Sequence, residues 1–214
     1  MNGIERIFVD LDGPVLDGKK RHYFCYRSIL ERSGYVPIGI DEYWGKKRAQ
    51  IDRKALLRLS GAEGIYADFL AAWLLLIESP GALVLDEVQD GAAECLHGWK
   101  EQRLELVLVT MRRSKQALED QLKLLGLYPI FNTVVVCDPI NGSKAGEVLK
   151  IYHDERLGEH SLWIGDTEAD WEAAQALSCN IVLVANGLRC EDYLGTLKGA
   201  LVVPSIDSIV LPHT

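Results

Sequence analysis

IFVDLDGPVLD, residues 7–17, is the stretch whose reading decides the fold. It opens as an apolar run, Ile7-Phe8-Val9, of the kind that forms a strand buried on both faces. It then sets two carboxylates, Asp10 and Asp12, one residue apart where that strand must end. Buried carboxylates cost free energy unless they are paired or bound to a cation. The end of this strand therefore carries something other than packing.

Similar runs recur along the chain. Leu104–Val109, Val134–Cys137, Leu162–Ile164, Ile181–Val184 and Leu201–Val203 read as strands, with amphipathic segments between them. In SKQALEDQLKLLG, residues 114–126, Ser114 is a helix N-cap, Leu118, Leu122 and Leu125 share a face, and Gly126 closes the helix. Continuous apolar strands joined by helical crossovers predict an α/β fold with a doubly wound parallel sheet covered on both faces.

The alternation fails over residues 17–80, where Tyr23–Ser33, Tyr43–Leu59 and Ala62–Glu78 all read as helix. A whole βαβ unit needs only about 30 residues, so the excess predicts an inserted α-helical cap. The expected division is a discontinuous core, 1–15 and 83–214, with the cap over 16–82. The most apolar stretch, Phe69–Ile77, is far short of the roughly 20 residues that span a membrane. It is expected to be a buried helix.

Charge and cysteine content remove several classes of function. A formal net charge of −8 gives no general attraction to nucleic acid or to anionic lipid, and no long basic stripe offsets it. Five widely spaced cysteines, with no C-x-x-C pair, argue against a disulfide framework and against a zinc site. MNGIERIFVD lacks the apolar core of a signal peptide. These features predict a cytoplasmic protein with no nucleic-acid, membrane or obligatory protein partner.

In an open parallel sheet, ligands bind at the carboxyl ends of the strands. Asp10 and Asp12 fall there, and so do Thr110, Asp138 and Asp166, with Asp170 four residues further on and Lys144 near a helix start. Taken singly, each has a plain structural reading: Asp166 and Thr167 cap a helix, Asp138 makes a turn, Lys144 is solvated and Thr110 suits a strand. Taken together they supply carboxylates, a hydroxyl and an ammonium. Clustered carboxylates call for a cation, and an all-oxygen set favours Mg²⁺, which bridges phosphate oxygens. One carboxylate can attack phosphorus while a second moves the proton of the leaving alcohol. Thr110 and Lys144 could hold the phosphoryl group.

On DLDGPVLD at 10–17, VTM at 109–111, Lys144 in GSKAG and GDTEAD at 165–170, the chain resembles the haloacid dehalogenase-like hydrolase superfamily, in its phosphatase branch with a helical cap. The resemblance spans essentially the whole chain. It implies a Mg²⁺-dependent phosphatase acting on a small phosphorylated metabolite, with Asp10 as nucleophile and metal ligand. It further implies Asp12 as general acid/base and ligand through its backbone carbonyl, Asp166 as a metal ligand, and Asp170 in support. Thr110 and Lys144 would bind the phosphoryl group. Gly13 lets the chain turn beside the ligand, and Arg112 could meet an anionic substrate.

Pro14 stands where the family usually has Thr and removes a backbone N–H, which bears on how Asp12 is oriented. Asp12 argues against a dehalogenase, whose leaving group needs no proton. A phosphomutase of the same fold and a non-catalytic phosphate-binding regulator are the alternatives. The basic clusters at 19–21, 46–48 and 112–113 are expected to be solvated faces, and the histidines are given no role.

Overall fold

In a computed structural model describing residues 3–153 and 157–211, β1 (Arg6–Val9) lies at the centre of a six-stranded parallel sheet. The other strands are β4 (Glu105–Met111), β5 (Thr133–Cys137), β6 (Ser161–Gly165), β7 (Asn180–Val184) and β8 (Leu201–Val203), in the spatial order β5-β4-β1-β6-β7-β8. β2 (Leu16–Asp17) and β3 (Glu87–Val88) form a separate antiparallel pair.

Side-chain alternation explains why every main strand reads as a continuous apolar run. Ile7 and Val9, Leu106 and Leu108, and Leu162 and Ile164 enter one core, whereas Phe8, Val107, Val109 and Trp163 enter the other. The first core is closed by α6 (Ala92–Glu101) and α7 (Lys115–Leu124) through Leu96, Trp99, Leu118 and Leu122. The second is closed by α8 (Lys144–Ile151) and α9 (Glu168–Leu177) through Val148, Ala173, Ala174 and Leu177. α10 (Glu191–Leu194) adds Leu194 to it. Each such side chain, taken from water, contributes roughly 1.5–3 kcal/mol, so both faces of the sheet are fixed.

Between β2 and β3 lie α1 (Lys19–Arg32), α2 (Ile40–Arg48), α3 (Arg53–Leu59), α4 (Tyr66–Leu76) and α5 (Pro80–Leu83). They share a third core of their own, built on Tyr26, Leu30, Tyr43, Leu57, Phe69 and Trp73. The stretch expected to run unbroken from Tyr43 to Leu59 is two helices. Asp52 starts the second by accepting the Ala55 N–H at 3.0 Å, after Gln50 turns at φ 60°. Phe69–Ile77 is not buried all round: Phe69 and Trp73 face inward while Leu75 is 78% exposed. No helix among the described residues is long and apolar enough to cross a membrane.

Strand order positions the site. β1 pairs with β4 on one side and β6 on the other, so the chain winds away in both directions from its carboxyl end. That end is the topological switch point, where the loops diverge and leave a crevice.

Candidate active site

The register aligns Val9 with Leu108 and with Ile164, so the residues that follow on three adjacent strands emerge side by side. Asp10 is buried, its N–H donating to the Ile164 carbonyl at 2.9 Å and its Oδ1 accepting from Leu11 N–H at 2.8 Å. Lys144 arrives from the first turn of α8, which Ser143 caps by accepting the Gly146 N–H at 3.0 Å. Its Nζ lies 2.7 Å from Asp10 Oδ2 and 2.7 Å from Asp170 Oδ1.

Asp170 also closes the capping box of α9 with Thr167. It accepts from Trp163 Nε1 at 3.1 Å, Asp166 N–H at 3.2 Å and Thr167 Oγ1 at 2.7 Å. The structural and the site readings of GDTEAD thus hold together, because one carboxylate starts the helix and orients Lys144. Gly165 is required there, since a Cβ would overlap Asp170.

Asp166 accepts from Leu188 N–H through Oδ2, whereas its Oδ1 is buried without a partner. Gly13, at φ +108°, and Gly187 both press on this carboxylate, and a Cβ at either would overlap it. Asp10, Asp166 and Asp170 bring carboxylate oxygens within 4.8 Å of one another. Three acids against one ammonium leave an excess of negative charge. The orphaned Asp166 oxygen and its glycine cradle therefore fit a divalent cation.

Burial, with Asp170 and Asp12 adding to it and Lys144 opposing, pushes the Asp10 carboxyl up to about 7. Burial likewise lifts Asp166 well above the carboxylate range, with Asp10 and Asp170 adding to it. Burial would also raise Asp170, but Lys144 and the hydrogen-bond donors around it outweigh the effect and leave its pKa low.

The Asp12 side chain is outside the acidic group. It is clamped by Arg21 and by Arg112, the latter at 2.8 Å. Burial opposes ionisation there, yet Arg112 and Arg21 together hold the Asp12 carboxyl below its ordinary value. Asp86, fully buried, lies 2.9 Å from Arg21 Nε and accepts from Gln121 Nε2 at 2.7 Å. Arg112 and Arg21 are thus not solvated: their exposures are 3% and 2%. Arg21 was missed because it ends a basic run. Its signal was the helical spacing of Arg21, Cys25 and Ile29, which puts all three on the buried face of α1.

Thr110 is fully buried and its Oγ1 has no hydrogen-bond partner. Asp138 does not join the site. It is exposed and makes a turn, accepting from Ile140 N–H at 2.8 Å. Pro14 lies in the turn in which Val15 and Leu16 N–H both return to the Leu11 carbonyl, so its missing donor breaks no bond of that turn.

A family model described as haloacid dehalogenase-like hydrolase matches residues 7–184. A phosphoglycolate phosphatase from Rhodobacter capsulatus is 24% identical over 194 residues, covering 86% of this chain and 85% of that protein. Among solved structures, a predicted phosphoglycolate phosphatase from Haemophilus somnus 129pt superposes with a TM-score of 0.76 at 15% identity, over 97% of this chain and 96% of the other. A predicted phosphatase from Clostridium acetobutylicum gives 0.74 at 15% identity, over 95% of each chain.

Proposed function

The chain belongs to the haloacid dehalogenase-like hydrolase family, and from that premise we propose that it is a Mg²⁺-dependent phosphatase acting on a small phosphorylated metabolite. The observation that carries the reading is the convergence at one strand end. Lys144 Nζ bridges Asp10 and Asp170 at 2.7 Å each, and an unpartnered Asp166 oxygen lies in the same acidic group. The phosphatase named among its relatives acts on a substrate of this class. Five unpaired cysteines suit a reducing cytoplasm.

In this reading Asp10 Oδ forms a bond to phosphorus as the ester P–O bond breaks, and Asp12 gives its proton to the leaving alkoxide. Water then attacks the phosphoaspartate, returns a proton to Asp12 and frees inorganic phosphate together with the Asp10 carboxylate. Asp10, Asp166 and the Asp12 carbonyl would hold Mg²⁺, which would supply positive charge for the phosphoryl oxygens. Thr110 donates its idle hydroxyl to a phosphoryl oxygen, and Lys144 neutralises a second. Arg112 and Arg21 keep Asp12 ionised for the water step. The proton that Asp12 passes to the leaving alkoxide in the first step is therefore one it takes from the monoanionic form of the arriving phosphate ester. The helical insertion is the cap that excludes bulk water and reads the leaving group.

The test is phosphate release from a panel of phosphorylated metabolites with and without Mg²⁺. Asp10→Asn should lower turnover by about 10⁴-fold or more in a protein that still folds. Mg²⁺ should raise the melting temperature of the parent but not of Asp166→Asn. A well-folded parent that releases no phosphate from any of the panel refutes the assignment.

A further inference from the structure

The helical lobe, with Arg189, lines an open cavity of about 490 Å³ that the reaction described above does not use. Its wall is mixed: Tyr43, Phe69 and Trp73 stand on it together with the cations Lys47, Arg53 and Arg189. Arg189 is paired with Glu168, at 2.8 and 2.6 Å. Lys47 and Arg53 have no carboxylate partner among the described residues; each faces the Trp73 indole, at 5.5 and 4.9 Å from its centre. The acid on this wall, Asp52, is exposed and committed to the first turn of α3. A cation–π contact returns about 0.5–2 kcal/mol, less than a desolvated cation loses. Burial and the neighbouring Arg53 and Arg189 accordingly push Lys47 down to about 7. Two of the three cations on this wall thus have only an aromatic ring opposite them.

It also adjoins the acidic site. Arg189 follows Leu188, whose N–H holds Asp166. Arg48, the neighbour of Lys47, donates to the Ala185 carbonyl, and Cys190 N–H returns to the Arg48 carbonyl at 3.1 Å. On the other side His22 lies 5.6 Å from Trp73 and lines a narrow cleft with Asp12 and Gly13. Residues 185–190 thus join the cavity wall to the Asp166 carboxylate, and His22 joins it to the cleft beside Asp12.

We propose that this cavity receives the leaving group of the substrate, and that this group is ring-sized and carries a second negative charge, carboxylate or phosphate, which Lys47 and Arg53 bind. The assignment rests on the phosphatase reading. Cavities of about 300–1,000 Å³ enclose drug-sized molecules, so a two-carbon acid such as glycolate would leave most of this one unfilled.

The experiment compares kcat/KM of the full chain in Mg²⁺ for 4-carboxyphenyl phosphate, its neutral methyl ester, hydroquinone bisphosphate and phosphoglycolate. The charged ring esters should exceed the neutral one by about tenfold, mainly through KM, as one charged hydrogen bond would supply. Whichever of the carboxylate or the bisphosphate leads identifies the anion. In Lys47→Met and in Arg53→Gln the charged-to-neutral ratio should fall about tenfold. An unchanged ratio, or phosphoglycolate outpacing both charged ring esters, overturns the proposal. The ester comparison on the parent decides even where a variant does not fold. Should the parent hydrolyse none of the four, calorimetric binding of (4-carboxyphenyl)phosphonate separates the two readings. Binding weakened about tenfold in the variants keeps Lys47 and Arg53 as the anion site and leaves the phosphatase reading to the wider metabolite panel; equal binding discards the cavity assignment.

Discussion

Gly13 does the work that a catalytic-residue inventory overlooks. Its φ of +108° is closed to side chains, and a Cβ there would overlap the Asp166 carboxylate. Gly13→Ala should therefore cost about 2 kcal/mol of stability, read as a lower urea midpoint, and should abolish the Mg²⁺-induced rise in melting temperature. Lys47 gives a second prediction at this scale. Its pKa falls from 10.5 to about 7 on folding, chiefly by desolvation. Between those values the unfolded chain holds a proton that the folded chain has shed, so stability rises with pH across this window. Lys47→Met lacks the penalty. Its urea midpoint should exceed the parent's below pH 7, and the gap should close as pH approaches 10.5. Asp10, Asp12 and Asp166 were legible in the sequence because acids at the ends of apolar strands are conspicuous, and Lys144 only in their company, as a lysine near a helix start. Arg21 and Lys47 were not, because a basic residue reads as solvated until the fold withdraws water from it.

Helices and strands were legible where one periodicity ran without competition. Ser114 caps α7 as its sequence position implied, accepting the Ala117 N–H at 3.1 Å, and each of the six long-range strands lies where an apolar run marked it. The pair β2 and β3 was not visible, because two residues carry no pattern and their partners lie 70 residues apart in the chain. The attachment of the lobe was equally hidden. Glu78, just beyond α4, accepts from Arg113 N–H at 3.0 Å and Ser114 N–H at 3.1 Å, where its charge also meets the amino end of α7. Glu78→Ala should expose both amides to hydrogen exchange while changing unfolding free energy by only about 1 kcal/mol.

The whole molecule divides by its cores. The two that flank the sheet draw no buried residue from positions 17–91, and the third is built from residues 25–82. Replacing residues 18–86 by a short Gly-Ser linker should leave a chain that unfolds cooperatively, with a lower midpoint, as judged by circular dichroism. The doubly wound sheet could be inferred because strands alternated with helices, but its order could not: pairing depends on which crossovers turn left or right along the sheet. That order alone makes β1 the switch point.

Residues 185–190 bind the Asp166 carboxylate through Leu188 and grip the end of α2 through Ala185 and Cys190. On the proposed function, a tether shared in this way would make closure and cation binding reciprocal partners. Whatever affinity a docked lobe lends to the ion, the ion must return to the lobe in equal measure.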